Sequence, residues 1–241
     1  MTAASGVAER LLSLRARITS AACRVGRDPG KLTLIGVTKR VDAARVAEAV
    51  SLGLRDLGEN YVQEARQKIH AVREILAPGK TPQALRWHGI GQLQRNKVRE
   101  AVALFDVIHS VDRIALAREL DQRAGQVGRR IEVFLQVNLS GETQKGGVPP
   151  SLLGELAAEC AKLPHLVPLG LMALPAESRD PEAARPVFAA LRELARGLCD
   201  PLGSDRFVAL SMGMSHDFEV AIEEGATHIR VGTALFGPRE S

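Results

Sequence analysis

Two short segments late in the sequence combine glycine with hydroxyl side chains: Ser211-Met212-Gly213-Met214-Ser215 and Arg230-Val231-Gly232-Thr233. Glycine lets backbone N–H groups approach an anion closely, and hydroxyls add donors, so both segments suit a phosphate. The plainer reading makes Ser215 a helix N-cap and Gly232 a turn residue. A third feature is Lys39, which directly follows the apolar run Leu34-Ile35-Gly36-Val37-Thr38. A lysine between low-dielectric walls loses its proton near neutral pH and can condense with an aldehyde. It can equally attract a phosphorylated substrate as a point charge. The residues alone leave both readings open.

The elements that must position these residues alternate along the chain. Strand-like runs are expected at Thr33–Thr38, Leu54–Gly58, Arg86–Ile90, Val107–Ser110, Ile131–Asn138, Val167–Leu174, Phe207–Met212 and His228–Gly232. Each is too short for a helix and ends on Gly, Asn, Ser or Pro signals. Helix-period stretches separate them: Val41–Leu52, Val62–Leu76, Asn96–Phe105, Arg113–Ala124, Ser151–Lys162, Glu182–Leu198 and Asp217–Glu224. Asp112 and Ser215 are placed as N-caps, and Pro181 falls in a first turn after Asp180. Eight right-handed βαβ-type units predict a single (β/α)8 TIM-type barrel spanning residues 1–241 as one domain. An extra N-terminal helix, Ala8–Cys23, is expected to cover the eighth position, because only nine residues follow the last strand. The segments Ala77–Ala84 and Ser140–Pro150 read as loops.

Barrel enzymes and binding proteins gather function at the C-terminal ends of the strands, with phosphate often held after strands seven and eight. The two glycine-hydroxyl segments occupy those places. Of seven lysines, Lys39 alone lies at the immediate end of a strand; Lys31 enters the first strand from the opposite rim. Lys68 and Lys162 fall on outer helices, Lys80 and Lys145 in loops, and Lys97 at a helix start. Solvation is the plainer role for Lys97 and Lys145. Glu59 reads as a rim ion partner in preference to a site acid. His88 reads as either a cofactor contact or a hydrogen-bonded structural residue.

Composition narrows the function classes. Hydrophobic residues are 45% and aromatics 3%, so the core is expected to be aliphatic. Net charge is +4, but the arginines are dispersed and only one Trp and one Tyr are available for base stacking, which argues against nucleic acid. Six histidines show no HxxxH or HExxH spacing, and three cysteines show no CxxC, so no metal site is expected. No run approaches a membrane span and no signal peptide is visible; a cytoplasmic protein is expected.

The ordered motifs LIGVTKR (34–40), LGENYVQEA (57–65), WHGIGQLQRNK (87–97), QVNLSGETQKGG (136–147), GLMALP (170–175), LSMGMSHDFEVAI (210–222) and HIRVGTALFG (228–237) resemble those of the pyridoxal-phosphate homeostasis proteins. The fold of that family is similar to the N-terminal barrel of alanine racemase. The resemblance implies that Lys39 carries pyridoxal 5'-phosphate (PLP) as a Schiff base. It implies that Ser215, Gly232 and Thr233 hold the phosphate, with Ser211 and Gly213 close by, Asn60 beside the ring and Arg230 facing the pyridine nitrogen. Ala226 stands where many members have Ser, and His216 fills a variable place; neither removes a proposed contact. The family's expected role is vitamin B6 homeostasis without dedicated turnover, with no catalytic residues. A racemase would need a second base from a separate domain, and an arginine at the ring nitrogen weakens the cofactor as an electron sink. A weak racemase or other PLP enzyme remains the alternative. Apo PLP-dependent enzymes are the expected partners, and a monomer the expected state.

Overall fold

Eight short strands, alternating with amphipathic helices, close on themselves. The computed structural model describes residues 6–76, 85–141, 146–202 and 206–238, with side chains 199–202 outside the description. The strands are β1 Thr33–Val37, β2 Asp56–Glu59, β3 Arg86–Gly89, β4 Val107–Val111, β5 Ile131–Gln136, β6 Leu166–Met172, β7 Ala209–Ser211 and β8 His228–Val231. All pair in parallel in sequence order, and β1 pairs with β8, which completes a closed barrel. The helices are α1 Val7–Arg24, α2 Ala43–Ser51, α3 Val62–Ile75, α4 Val98–Leu104, α5 Ile114–Gln126, α6 Pro150–Cys160, α7 Arg185–Leu202, α8 Phe218–Glu223 and α9 Thr233–Phe236. The expected loop at 77–84 and part of that at 140–150, with Lys80 and Lys145, lie outside the described residues.

Helix α1 does take the missing eighth place. Its buried stripe of Leu11, Leu14 and Ile18 faces the barrel, and it packs against α2, α8 and α9. Polar contacts stitch the same seam: Arg17 Nε donates to Glu219 over 2.7 Å, and Arg27 donates to the carbonyl oxygens of Ile222 and Ala226. After β8, Thr233–Phe236 form one short helical turn, α9, which the sequence reading did not assign.

Two caps differ from expectation. The residue preceding α5 is Arg113, and Asp112 pairs with it over 2.5 Å instead of capping the helix. Asp217, not Ser215, precedes α8. Asp180 does cap, accepting from the Glu182 N–H at 3.0 Å.

The sheet divides its residues by parity, as the two-residue strand period requires. Outward side chains such as Leu57 and Trp87 join the helices in a large aliphatic layer. The inward set differs. Val107, Phe134 and Met172 form a small apolar plug. Against it, with His109 stacked on Phe134 at 4.5 Å between centroids, lie buried polar residues: His88, His109, Ser211 and Arg230. The aliphatic core expected from composition therefore describes the layer under the helices, and the barrel lumen mixes polar and apolar side chains.

Candidate functional site

Lys39 sits in a turn that is pinned from below. After β1 the Thr38 N–H donates to the Gly58 carbonyl at 2.9 Å, and the Thr38 hydroxyl donates to Glu59 Oε1 at 2.6 Å. Arg40 takes a left-handed φ of 56°, and its N–H donates to Glu64 Oε1 at 2.6 Å. This sharp turn leaves Lys39 half-buried with its Nζ 5.1 Å from the centroid of the Tyr61 ring, a cation–π contact.

Lys68 supports that turn from α3. It is 8% exposed and reaches three acceptors: Glu59 at 2.8 Å, Glu64 at 2.9 Å and the Thr38 carbonyl oxygen. An ammonium has three donors, so this set saturates it. Placing Lys68 on an outer helix was right, but its side chain points inward, not to solvent. A signal was available: Lys68 lies on the same stripe as Ala65, Ile69 and Val72, all buried. Glu59 is fully buried, and its Oε2 has no hydrogen-bond partner. Burial raises the Glu59 carboxyl above its ordinary range, against the lowering pull of Lys68 and Thr38. Glu59 is thus a buried ion partner, as read. In Glu64 the balance reverses: burial pushes its carboxyl up, but Lys68, the Arg40 N–H and Lys39 together hold it below the usual value.

The glycine-hydroxyl segments meet through one atom. Ser215 Oγ accepts from the Gly232 N–H and from the Ala234 N–H, each at 3.2 Å. The loops after β7 and β8 thus converge on the half-buried Ser215 hydroxyl, with Thr233 exposed beside it. Gly213 has φ +91°, and a Cβ there would come within 2.6 Å of the Ala221 methyl, so glycine is required on both counts.

Arg230 and Ser211 lie deeper. Arg230, 4% exposed, donates to Ser211 Oγ at 2.5 Å and to the Ala173 carbonyl at 3.1 Å. Burial lowers its guanidinium to about 10, with Asp217 opposing. Ser211 Oγ also meets His109 Nδ1 at 2.8 Å, so this hydroxyl belongs to the lumen network and not to the Ser215 junction. His109 went unremarked in the sequence. His88 has the structural role open to it there, between His109 and Asp56 at 2.9 Å each.

On the neighbouring rim a cleft of about 370 Å³ is lined by Asn60, Tyr61, Gly91, Gln92, Lys97 and Ser110. Lys97 is half-buried, not fully solvated. Among the described residues no cluster of three metal-ligating side chains occurs, and no helix is long and apolar enough to cross a membrane.

The lumen imidazoles make stability pH-dependent. Burial lowers His228 from 6.5 to about 4 and His109 well below its ordinary value. Between those limits the unfolded chain binds protons that the folded chain refuses. Stability is therefore full above pH 6.5 and falls as pH drops toward 4, by about 2–3 kcal/mol for His228. Urea unfolding across pH 7 to 4.5 should show this loss, and His228→Asn should reduce it, leaving the His109 contribution.

Comparison with known proteins agrees with this architecture. The family described as "Alanine racemase, N-terminal domain" matches residues 12–240. The "Pyridoxal phosphate homeostasis protein" of Pseudomonas aeruginosa is 44% identical over 236 residues, covering 98% of this chain and 97% of that protein. The protein of that name from Aquifex aeolicus is 43% identical, covering 96% and 98%. The structure of PipY from Synechococcus elongatus with PLP bound superposes with TM-score 0.82 at 40% identity, covering 96% of this chain and all of that one. An alanine racemase of Clostridium difficile shares the fold at TM-score 0.73 and 14% identity, with this chain spanning 57% of its length. With matches running nearly end to end, this chain belongs to the alanine-racemase N-terminal-domain family and, within it, to the pyridoxal phosphate homeostasis proteins.

Proposed function

We propose that this barrel, acting as one domain over residues 1–241, binds PLP on Lys39 and buffers or delivers it without dedicated turnover. The observation that carries the reading is a convergence. One lysine follows β1, the strand that pairs with β8, and after β8 lies a junction where two backbone N–H groups and the Ser215 hydroxyl meet. Those groups fit a phosphate ester. The cofactor supplies an aldehyde that joins an amine reversibly. Lys39 provides that amine, and the pinned Thr38–Arg40 turn fixes its direction. Ser215, Gly232 and Thr233 take the phosphate, Gly213 shapes the approach, and Asn60 flanks the ring. Arg230, with Ser211 behind it, meets the ring nitrogen as a donor.

A guanidinium at that nitrogen leaves it unprotonated, which suits storage better than carbanion chemistry. The protein is proposed to be a cytoplasmic monomer whose partners are apo PLP-dependent enzymes, with no nucleic acid or membrane involved. The test is direct. PLP added to the protein should give a visible absorbance band that borohydride bleaches, with the reduced label mapping to Lys39. A band that survives in Lys39→Ala overturns the attachment. Time-dependent α-deuteration of a single-enantiomer amino acid in deuterated water, lost in Lys39→Ala, would overturn the non-enzymatic role.

A further inference from the structure

The lumen holds an unbroken polar path from the barrel's interior to its opposite face. Arg230 meets Ser211, Ser211 meets His109 at 2.8 Å, His109 Nε2 meets His88 Nδ1 at 2.9 Å, and His88 Nε2 meets Asp56 Oδ1 at 2.9 Å. Four of the five side chains are 4% exposed or less, and Asp56 is 18% exposed at the far end. The members come from five places in sequence and four strands beyond β8 itself: β2, β3, β4 and β7.

Donor chemistry gives this path one direction. Guanidinium nitrogen can only donate, so Ser211 Oγ accepts from Arg230. The Ser211 hydroxyl proton is then free for His109 Nδ1. A neutral imidazole that accepts at Nδ1 carries its proton on Nε2, and that proton points at His88 Nδ1. The same logic places the His88 proton on Nε2, facing the Asp56 carboxylate. Every donor finds an acceptor. In the reverse direction the Ser211 hydroxyl would point away from both of its neighbours in the path. A neutral His88 would also turn a lone pair toward the Asp56 carboxylate. Both would be buried mismatches.

We infer that His109 and His88 are positioning residues, held as neutral Nε2–H tautomers in a one-way chain that anchors the Arg230 guanidinium to Asp56 through Ser211. Chains of aligned hydrogen bonds polarise one another. The carboxylate makes His88 Nδ1 a better acceptor, His88 does the same for His109, and Ser211 Oγ becomes a stronger acceptor for Arg230. The arginine that would meet the cofactor ring is therefore fixed in place by a carboxylate on the opposite rim, which also has Arg86 at 4.0 Å. The effect on the cofactor rests on the proposed placement of PLP; the chain itself does not.

The two parts separate experimentally. Nitrogen-15 NMR of histidine-labelled protein without PLP should show His88 and His109 both protonated on Nε2 and bare on Nδ1. A proton on His109 Nδ1, or an imidazolium at His88, overturns the chain whatever the protein binds. With PLP, His109→Leu should weaken binding roughly tenfold and shift the absorbance of the bound cofactor. His109→Gln, whose amide can accept from Ser211 and donate to His88, should restore much of both. If His109→Leu does not fold, Ser211→Ala cuts the same link while keeping both imidazoles and should give the same loss. Unchanged affinity and spectrum in the folded variants, with the tautomers as stated, overturn the positioning role alone. If the wild-type protein takes up no PLP, the function fails and the tautomers still judge the chain.

Discussion

Lys68→Met is expected to lower the unfolding free energy by about 3–5 kcal/mol, the usual cost of stripping one partner from a buried ion pair. Glu59 is fully buried and would keep a carboxyl with no cation beside it. The Thr38 carbonyl and Glu64 would lose a donor in the same step. The sign of the pH dependence follows from Glu59. Its carboxyl is already raised by burial, and losing Lys68 raises it further. A raised carboxyl contributes stability that is intact at low pH and lost as pH climbs through its folded range. Urea unfolding should therefore show the variant's deficit widening between mildly acidic and neutral pH. Adding Glu59→Leu should recover much of the deficit, since an apolar pair of similar volume often matches a buried ion pair. A Lys68→Met protein as stable as wild type at pH 7 would mean that the cluster is better hydrated than its burial indicates. The turn carrying Lys39 shares these contacts, so the variant should also hold PLP less firmly.

Ser215→Asp is expected to weaken PLP binding about a hundredfold while leaving the fold nearly as stable. A carboxylate at this position can accept from the Gly232 and Ala234 N–H groups as the hydroxyl does. It would oppose a phosphate by direct charge repulsion. Equilibrium titration with PLP, set beside pyridoxal without the phosphate, reads the difference. The phosphate-free aldehyde should lose little. Equal loss for both ligands would place the phosphate elsewhere.

Much of this was legible in the sequence because it depends on local order. Strand after strand ends where an apolar run meets Gly, Asn or Ser, and the barrel rule then ranks positions by strand end. Lys39, Ser215 and Gly232 emerged that way. The N-terminal helix was legible from its own apolar face ahead of the first strand. What escaped depends on pairing at a distance. His88 and His109 lie 21 residues apart on adjacent strands, and Ser211 lies 102 residues beyond His109. Alternation tells that such residues face inward; it does not tell which of them touch. Lys68 escaped because charge was allowed to outweigh position on an otherwise buried stripe. Ser215 was misassigned as a cap because its hydroxyl prefers N–H groups 17 and 19 residues away over those of the next helix.

The borrowed helix at the eighth position sets an order of events during synthesis. Helix α1 leaves the ribosome before its partners α8 and α9, which emerge about 200 residues later, as the Arg17–Glu219 separation of 202 shows. Until then α2 alone of its three partner helices can cover the apolar stripe, and strands β1 and β8 cannot meet. The closing step therefore joins segments about 200 residues apart, a contact of very high sequence separation and correspondingly slow to form. A nascent chain stalled short of α8 would present an open sheet edge and a helix stripe only partly covered, surfaces that chaperones and neighbouring chains bind readily.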